Sequence, residues 1–315
     1  MVIQKNVLLK NYSNYKIGGL AAYFLEVEST EELKEGLKKW NNINSEFKQF
    51  FILGGGTNIL FGDNGYSGLV IRCEIKGIKL KEERIKVGAG VLMSKLLDFC
   101  IENSLSGLEW AGGLPGTVGG SVRGNAGAFG GETKDCIAEV KSLNIDSLEE
   151  ITRNNQECWF SYRDSYFKTD KGSREIITEV MLTLKNKDKE EIKKIIEEKI
   201  NFRIKKHPLE YPNIGSIFKN IEMTKIPDSL KEEFGQNGKT DPIPVIPSAR
   251  IINLCGLKGK RVGDAQFSEK HPNFIVNLGN AKAGDVKALV EMAKKEVFEK
   301  FKIQLEEEIM YVGNF

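Results

Sequence analysis

Residues 107–131, GLEWAGGLPGTVGGSVRGNAGAFGG, hold 10 of the chain's 32 glycines in 25 positions. Glycine loses more conformational freedom on ordering than any other residue, so a run this rich stays ordered only if something holds it. A flexible linker favours serine, proline and charge. This run instead carries Trp110, Leu114, Val118, Val122 and Phe129, which points to a loop wrapped on a phosphate or cofactor. A second cluster, GGGTN (54–58), follows the apolar run FFIL (50–53). It fails the Rossmann fingerprint because Ile59 occupies the third glycine position. Consecutive glycines nevertheless let backbone N–H groups approach an anion closely. Two such loops in one α/β region, without a mononucleotide fingerprint, suit a pyrophosphate held by backbone amides from both. The expectation is a dinucleotide such as FAD, bound outside the Rossmann scheme.

Around these loops the pattern alternates between periods of two and 3.6. FLEV (24–27), GLVIRC (68–73) and RIKVGAG (84–90) read as strands, and Ser29 with Glu32 has capping-box spacing for a helix to about Trp40. A helix is expected near 91–103, and mostly strand from Cys136 to Leu184. KDKEEIKKIIEEKINFRIKK (187–206) is a charged helix that must stop before His207-Pro208. It serves as the bridge between a first domain at 1–187 and a second at 188–315. In the second, SARIINLCG and about 284–301 read as helices, and FIVNL (274–278) and IQLEEEIMYVG as strands. A chain of 315 residues has room for about two domains.

The 46 Lys+Arg against 44 Asp+Glu leave a formal charge of +2, which gives no general attraction to nucleic acid or membrane. No apolar run approaches the ~18 residues of a membrane span, and the N-terminus lacks a signal h-region. Cys73, Cys100, Cys136, Cys158 and Cys255 are odd in number and scattered, with no C-x-x-C pair. A zinc cage or disulfide framework is not expected, no metal is called for, and a reduced cytoplasm fits.

Ser216 and Lys219, in YPNIGSIFKN (211–220), have the Ser-x-x-Lys spacing of penicillin-recognising acyl-enzymes. Those serines open a helix, whereas Gly215 before Ile217-Phe218 favours an extended strand. On a strand Ser216 shares a face with Asn220 and opposes Lys219. The companion Lys-Thr-Gly and Ser-Asp-Asn motifs are missing. A Ser-His-Asp triad fares no better: His207 and His271 are each followed by proline, and no serine sits in a Gly-x-Ser-x-Gly elbow. A hydroxyl held at a defined place can instead donate a proton. GQNGKT (235–240) lacks the first glycine of a nucleotide P-loop, since Glu233 stands there, and reads as a surface loop.

Several ordered motifs together resemble the UDP-N-acetylenolpyruvoylglucosamine reductase (MurB) family, from about Asn11 to Gly313. The carriers are IGGLAAYF (17–24), LGGGTNIL (53–60), GLPGTVGGSVRGNAGAFGGE (113–132), SYRDSYFK (161–168), GSIFKN (215–220), GLKGKRVGDAQFSEKHPNFIVN (256–277) and LEEEIMYVG (305–313). The resemblance implies an α+β chain: an FAD-binding domain of the vanillyl-alcohol-oxidase (PCMH) type, then a smaller α/β substrate-binding domain. The compact 248–315 segment looks like the short form without an extra substrate-covering loop. The implied reaction passes reducing equivalents from NADPH through FAD to the enolpyruvyl double bond of UDP-N-acetylglucosamine enolpyruvate. A small nucleotide sugar is the implied partner, with no nucleic acid, membrane or obligate protein partner.

Carried over position by position, Ser216 matches the family's proton donor, Arg163 its active-site arginine and Glu308 its C-terminal glutamate. Gly54, Gly55, Gly56, Thr57, Asn58, Gly116, Thr117, Gly119, Gly120, Asn125, Ala126 and Gly127 fall in the flavin loops, and Asn220 and Lys219 where the family meets substrate. Competing readings are a structural ion pair of Arg163 with Asp164 or Glu157, an exposed edge-strand role for Glu308, and a structural or phosphate-contacting charge for Lys219. Relatives often carry a bulkier residue where this chain has Gly124. Neither histidine lies in residues 1–206, so a histidyl tether from the first domain is excluded and noncovalent FAD is expected. The alternative enzyme is another flavin oxidase of the same fold, acting on an alcohol or sugar.

Overall fold

A computed structural model describes residues 2–43, 49–81, 84–235, 238–240 and 243–315. The chain divides into two compact units that interleave in sequence. The first comprises Met1–Val7, Ala21–Gly55 and Ser67–Phe202; the second comprises Leu8–Leu20, Gly56–Tyr66 and Arg203–Phe315. This differs from a single cut at 187/188. The helix Lys189–Lys206 lies in the first unit through Phe202, and two early segments belong to the second.

In the first unit a four-stranded sheet runs in the order Gln4–Leu8, Leu20–Val27, Tyr66–Cys73, Phe50–Leu53. Its last pair is parallel. The helix Thr30–Asn42 begins where Ser29 Oγ accepts from Glu32 N–H at 3.1 Å; Glu32 in turn accepts from Glu28 N–H. Leu33, Leu37 and Trp40, at helical spacing, bury one stripe among Leu25, Val27, Leu69 and Ile71. A second sheet of five strands is antiparallel throughout, in the order Glu150–Asn154, Ile137–Asn144, Glu175–Thr183, Arg84–Gly88, Ile78–Lys81. The helix Met93–Glu102 packs its Met93, Leu96, Leu97 and Cys100 into the core that these strands share. Trp110, Val118 and Val122 of the glycine run enter the same core. Those anchors order the run, so it is no linker.

In the second unit the long helix Ala283–Phe301 buries Val286, Leu289, Val290, Ala293 and Val297. Its first N–H groups are met by a residue far earlier in the chain: Asp63 accepts from Ala283 N–H at 3.0 Å and Gly284 N–H at 3.3 Å. An antiparallel sheet of Arg261–Val262, Ala265–Phe267 and Ile275–Asn277 shares its core. Tyr15, Ile17 and Leu60 complete it. Tyr15 OH donates to Ile275 O at 2.8 Å, Asn277 Nδ2 donates to Tyr15 O at 3.0 Å, and Met310–Val312 pairs in parallel with Ile59–Phe61. These bonds are why Leu8–Leu20 and Gly56–Tyr66 belong with the C-terminal part. Gln236 and Asn237 of GQNGKT lie outside the described residues; Lys239–Thr240 forms a short strand beside Pro244–Ile246. No described helix is long and apolar enough to cross a membrane. No group of His, Cys, Asp or Glu suited to a metal ion occurs among the described residues.

Candidate active site

The two glycine loops meet within the first unit. A Cβ on Gly54 would lie 2.7 Å from Thr117 Oγ1, and one on Gly55 would lie 2.8 Å from Gly116 Cα. Only glycine allows that approach, because real Cβ contacts are longer. Thr117 caps the short helix Val118–Gly124 by accepting from Gly120 N–H at 3.3 Å. Gly119 lets that helix lie on the sheet: its N–H donates to Ala89 O at 2.9 Å, where a Cβ would meet Ala89 Cβ at 2.8 Å. At Gly124, by contrast, an added Cβ meets nothing within 4 Å, so a bulkier residue is sterically accommodated.

Asn125 closes the helix in the left-handed region, φ 40°, and is fully buried. Its Nδ2 donates to Ser161 O at 2.8 Å and to Glu132 at 3.1 Å, while Oδ1 accepts from Lys134 N–H at 3.1 Å. The side chain thus ties the glycine loop to the SYRDS turn. Ala126 continues that fastening through its backbone, accepting from Thr133 N–H at 2.8 Å and Thr133 Oγ1 at 2.9 Å. The turn itself is narrow, with Ser161 and Asp164 exchanging backbone bonds of 3.1 and 3.2 Å. At its tip Arg163 has φ 57°, a backbone that L-residues rarely adopt. Its Nη2 donates to Gly127 O at 2.7 Å, and its guanidinium lies 4.9 Å from the centre of the Tyr162 ring. Gly127 permits this closeness, since a Cβ there would stand 3.1 Å from Arg163 Nη1. Glu157, one partner weighed for Arg163, instead accepts from Asn154 N–H at 2.9 Å.

Beneath the turn lies a buried network. Arg153 grips Glu175 with two bonds of 2.7 and 2.8 Å, and Ser142 Oγ and Tyr166 OH donate to the same carboxylate at 2.6 and 3.0 Å. Tyr166 follows SYRDS by one residue, so this fork fixes the turn to the sheet.

In the second unit Gly56 is buried, with φ +64°, and its carbonyl accepts from Asn14 N–H at 3.0 Å. Thr57 is half-buried beside it. Asn58 Nδ2 donates to Glu308 O at 3.0 Å, and its carbonyl accepts from Met310 N–H at 3.0 Å. Glu308 is therefore held from both sides of its backbone. Its own N–H donates to Ile217 O at 2.8 Å, while Lys219 N–H donates to Glu306 O at 2.9 Å. The segments bearing Ser216 and Glu308 run antiparallel, bridged at Phe218 and Glu307.

Two sequence expectations change here. GSIFKN is extended but not a regular strand: Ile217 and Phe218 are both buried, and both N–H groups turn toward Asn273. Strict alternation between Ser216 and Asn220 therefore does not hold. IQLEEEIMYVG is a strand only over Met310–Val312, because its earlier part pairs with this short segment. Lys219 forms an ion pair with Glu306, whose carboxyl is held below its ordinary range chiefly by that hydrogen bond. Asn220 Oδ1 accepts from Ser248 N–H at 3.4 Å. Asn273, the residue that takes both N–H groups, was not singled out from the sequence. It lies in HPNFIVN, where an asparagine before an apolar run reads as a turn.

Comparison with known proteins matches residues 21–147 to an FAD binding domain and residues 207–312 to the UDP-N-acetylenolpyruvoylglucosamine reductase C-terminal domain. A UDP-N-acetylenolpyruvoylglucosamine reductase of Caldicellulosiruptor bescii is 36% identical over 310 residues, 98% of this chain and 90% of the relative. One of Fervidobacterium nodosum is 38% identical, covering 96% and 90%. The crystal structure of UDP-N-acetylenolpyruvylglucosamine reductase (MurB) from Thermus caldophilus aligns with a TM-score of 0.77 at 33% identity, covering 99% of this chain and 100% of that one. With both family models matched in order and relatives that match end to end, the chain belongs to the UDP-N-acetylenolpyruvoylglucosamine reductase (MurB) family.

Proposed function

We propose that the chain uses NADPH and FAD to reduce the enolpyruvyl group of UDP-N-acetylglucosamine enolpyruvate, giving UDP-N-acetylmuramate for peptidoglycan synthesis. The observation that carries this reading at the level of residues is the 2.8 Å bond from Glu308 N–H to Ile217 O. It sets the glutamate directly beside the segment of the proton-donor candidate.

The residues fit the cofactor. Gly54 and Gly55 approach Gly116 and Thr117 more closely than any side chain allows, leaving bare backbone of the kind a pyrophosphate needs. These positions, with Gly56, Thr57, Asn58, Gly119, Gly120, Asn125, Ala126 and Gly127, are proposed to hold FAD noncovalently. When bound, FAD would supply the hydride for the enolpyruvyl double bond, with NADPH as its source. Arg163 is proposed to receive the substrate carboxylate, into which charge spreads as the double bond is reduced. A guanidinium stays charged and can grip a carboxylate with two parallel bonds, and the bond to Gly127 O orients it. Glu308 polarises the substrate or assists proton delivery; beside a carboxylate it must be protonated or offset by a cation. Ser216 delivers the proton to the carbon next to the carboxylate. Asn220 is proposed to touch substrate, whereas the Glu306 ion pair supports a structural role for Lys219. Cys73, Cys100, Cys136, Cys158 and Cys255 are free thiols, and a reducing cytoplasm is the proposed setting.

The test is Ser216→Ala under anaerobic conditions. NADPH should still bleach the flavin, and reoxidation by the enolpyruvyl substrate should fail. Equal loss in both half-reactions would remove the proton-donor assignment.

A further inference from the structure

We propose that Asn273 is a positioning residue for the proton donor, acting through the backbone that carries Ser216. This rests on the assignment of Ser216 given above. Asn273 is 2% exposed. Its Oδ1 accepts from Phe218 N–H at 3.0 Å and its Nδ2 donates to Phe218 O at 2.8 Å, while its own carbonyl accepts from Ile217 N–H at 2.8 Å. A primary amide placed this way imitates the edge of a neighbouring strand. The opposite edge of the same three residues is taken by Glu306 and Glu308, through Lys219 N–H and Ile217 O. Residues 217–219 are thus gripped from both sides.

Ser216 depends on that grip. Its Oγ makes no hydrogen bond among the described residues, so its place follows from the backbone alone. On its N-terminal side stands Gly215, with φ +84° and open space around it. Asn213 Oδ1 accepts from Gly215 N–H at 3.1 Å and fixes the start of the turn. The C-terminal anchor is Asn273. A primary amide suits the position because its donor and acceptor are separate atoms set apart as in a peptide group, one for each Phe218 group, whereas an ionised aspartate accepts but cannot donate. A proton donor displaced by about 1 Å can lose ~10² in rate. Asn273 acts through the backbone that carries Ser216, so its effect belongs to the second half-reaction.

The test uses the full-chain holoenzyme and anaerobic stopped flow, following bleaching by NADPH and then reoxidation by UDP-N-acetylglucosamine enolpyruvate. Asn273→Ala should bleach within about two-fold of the parent and reoxidise ~10- to 100-fold more slowly. Asn273→Asp, isosteric but setting a buried carboxylate oxygen against Phe218 O, should reoxidise at least as slowly as Asn273→Ala. Combined with Ser216→Ala, Asn273→Ala should add little further slowing, because a positioning residue has nothing left to place. Independent, multiplying losses would overturn the proposal, as would equal slowing of both half-reactions or reoxidation at the parental rate. If neither variant kept bleachable flavin, Asn273 would be a folding determinant and the positioning role would fall. Ser216→Ala reoxidising normally would instead remove the proton-donor reading, whatever Asn273→Ala does.

Discussion

Replacing Gly55 with alanine tests the meeting of the two glycine loops. The added Cβ would stand 2.8 Å from Gly116 Cα, about 0.6 Å inside the 3.4 Å at which ordinary contact begins. The atom it meets is backbone, so neither loop can yield by a rotamer change. Gly55 is not among the residues with positive φ, so the cost comes from space and not from the dihedral. Inserting a methyl group into packed surroundings costs roughly 1–3 kcal/mol. If the loops relieve the clash by separating, that cost falls on FAD binding and weakens it about 5- to 150-fold. Gly124→Ala is the matched control: it adds the same atom to the same glycine run, where nothing lies within 4 Å. There FAD affinity should be unchanged and the helix Val118–Gly124 slightly firmer. The assay is titration of apoprotein with FAD by quenching of flavin fluorescence, with thermal unfolding of both apo variants alongside. FAD binding by Gly55→Ala within two-fold of the parent would refute the idea that both loops hold the cofactor together.

Three further outcomes follow from the geometry. Asn58→Ala removes the bond to Glu308 O, worth about 1 kcal/mol. Reoxidation by substrate should slow several-fold; a loss of FAD affinity with reoxidation unchanged would mean that Asn58 serves only the cofactor. Arg153→Ala strands the Glu175 carboxylate, whose side chain is 3% exposed, and should cost about 3–5 kcal/mol in denaturant unfolding. A loss under 1 kcal/mol would mean Ser142 and Tyr166 suffice. His271 is held at about 4 by burial, below its ordinary 6.5. The fold therefore favours the neutral ring: its contribution is complete above pH 6.5 and is lost as pH falls toward 4, about 3 kcal/mol in all. Unfolding measured from pH 7.5 to 4 should be flatter for His271→Phe than for the parent, and identical slopes would contradict the burial argument.

Much of the first unit was legible because its signals are local. The Ser29 cap, the stripe of Leu33, Leu37 and Trp40, and the helix ending before His207-Pro208 are all set within a few residues of chain. The glycine run was readable for a different reason. Trp110, Val118 and Val122 have no place in a linker, and they are the side chains that anchor it in the core. The interleaving of the units was not legible. NYSNYKIGG carries no mark that Tyr15 will donate to Ile275, since the partner lies 260 residues on and any buried carbonyl would satisfy the hydroxyl.

The same limit governs the site. The motifs containing Arg163, Ser216 and Glu308 could be aligned with a family, yet what orients each of them is backbone hydrogen bonding, which places few demands on residue type. Gly127 O receives Arg163, and Ile217 O receives Glu308 N–H; neither carbonyl leaves a trace in the sequence. Asparagine is the exception that could be looked for. Asn58, Asn125 and Asn273 are each spent on joining segments, to Glu308, Ser161 and Phe218. A primary amide is the one uncharged side chain that both donates and accepts in the geometry of a peptide group. It can therefore close a short, irregular segment where no strand is available to pair with it. The chain needs such closures where Ser216 and Arg163 sit, because both lie on turns and not within a sheet. An asparagine just before an apolar run, as Asn273 stands before FIVN, is better read as a backbone clamp than as a turn.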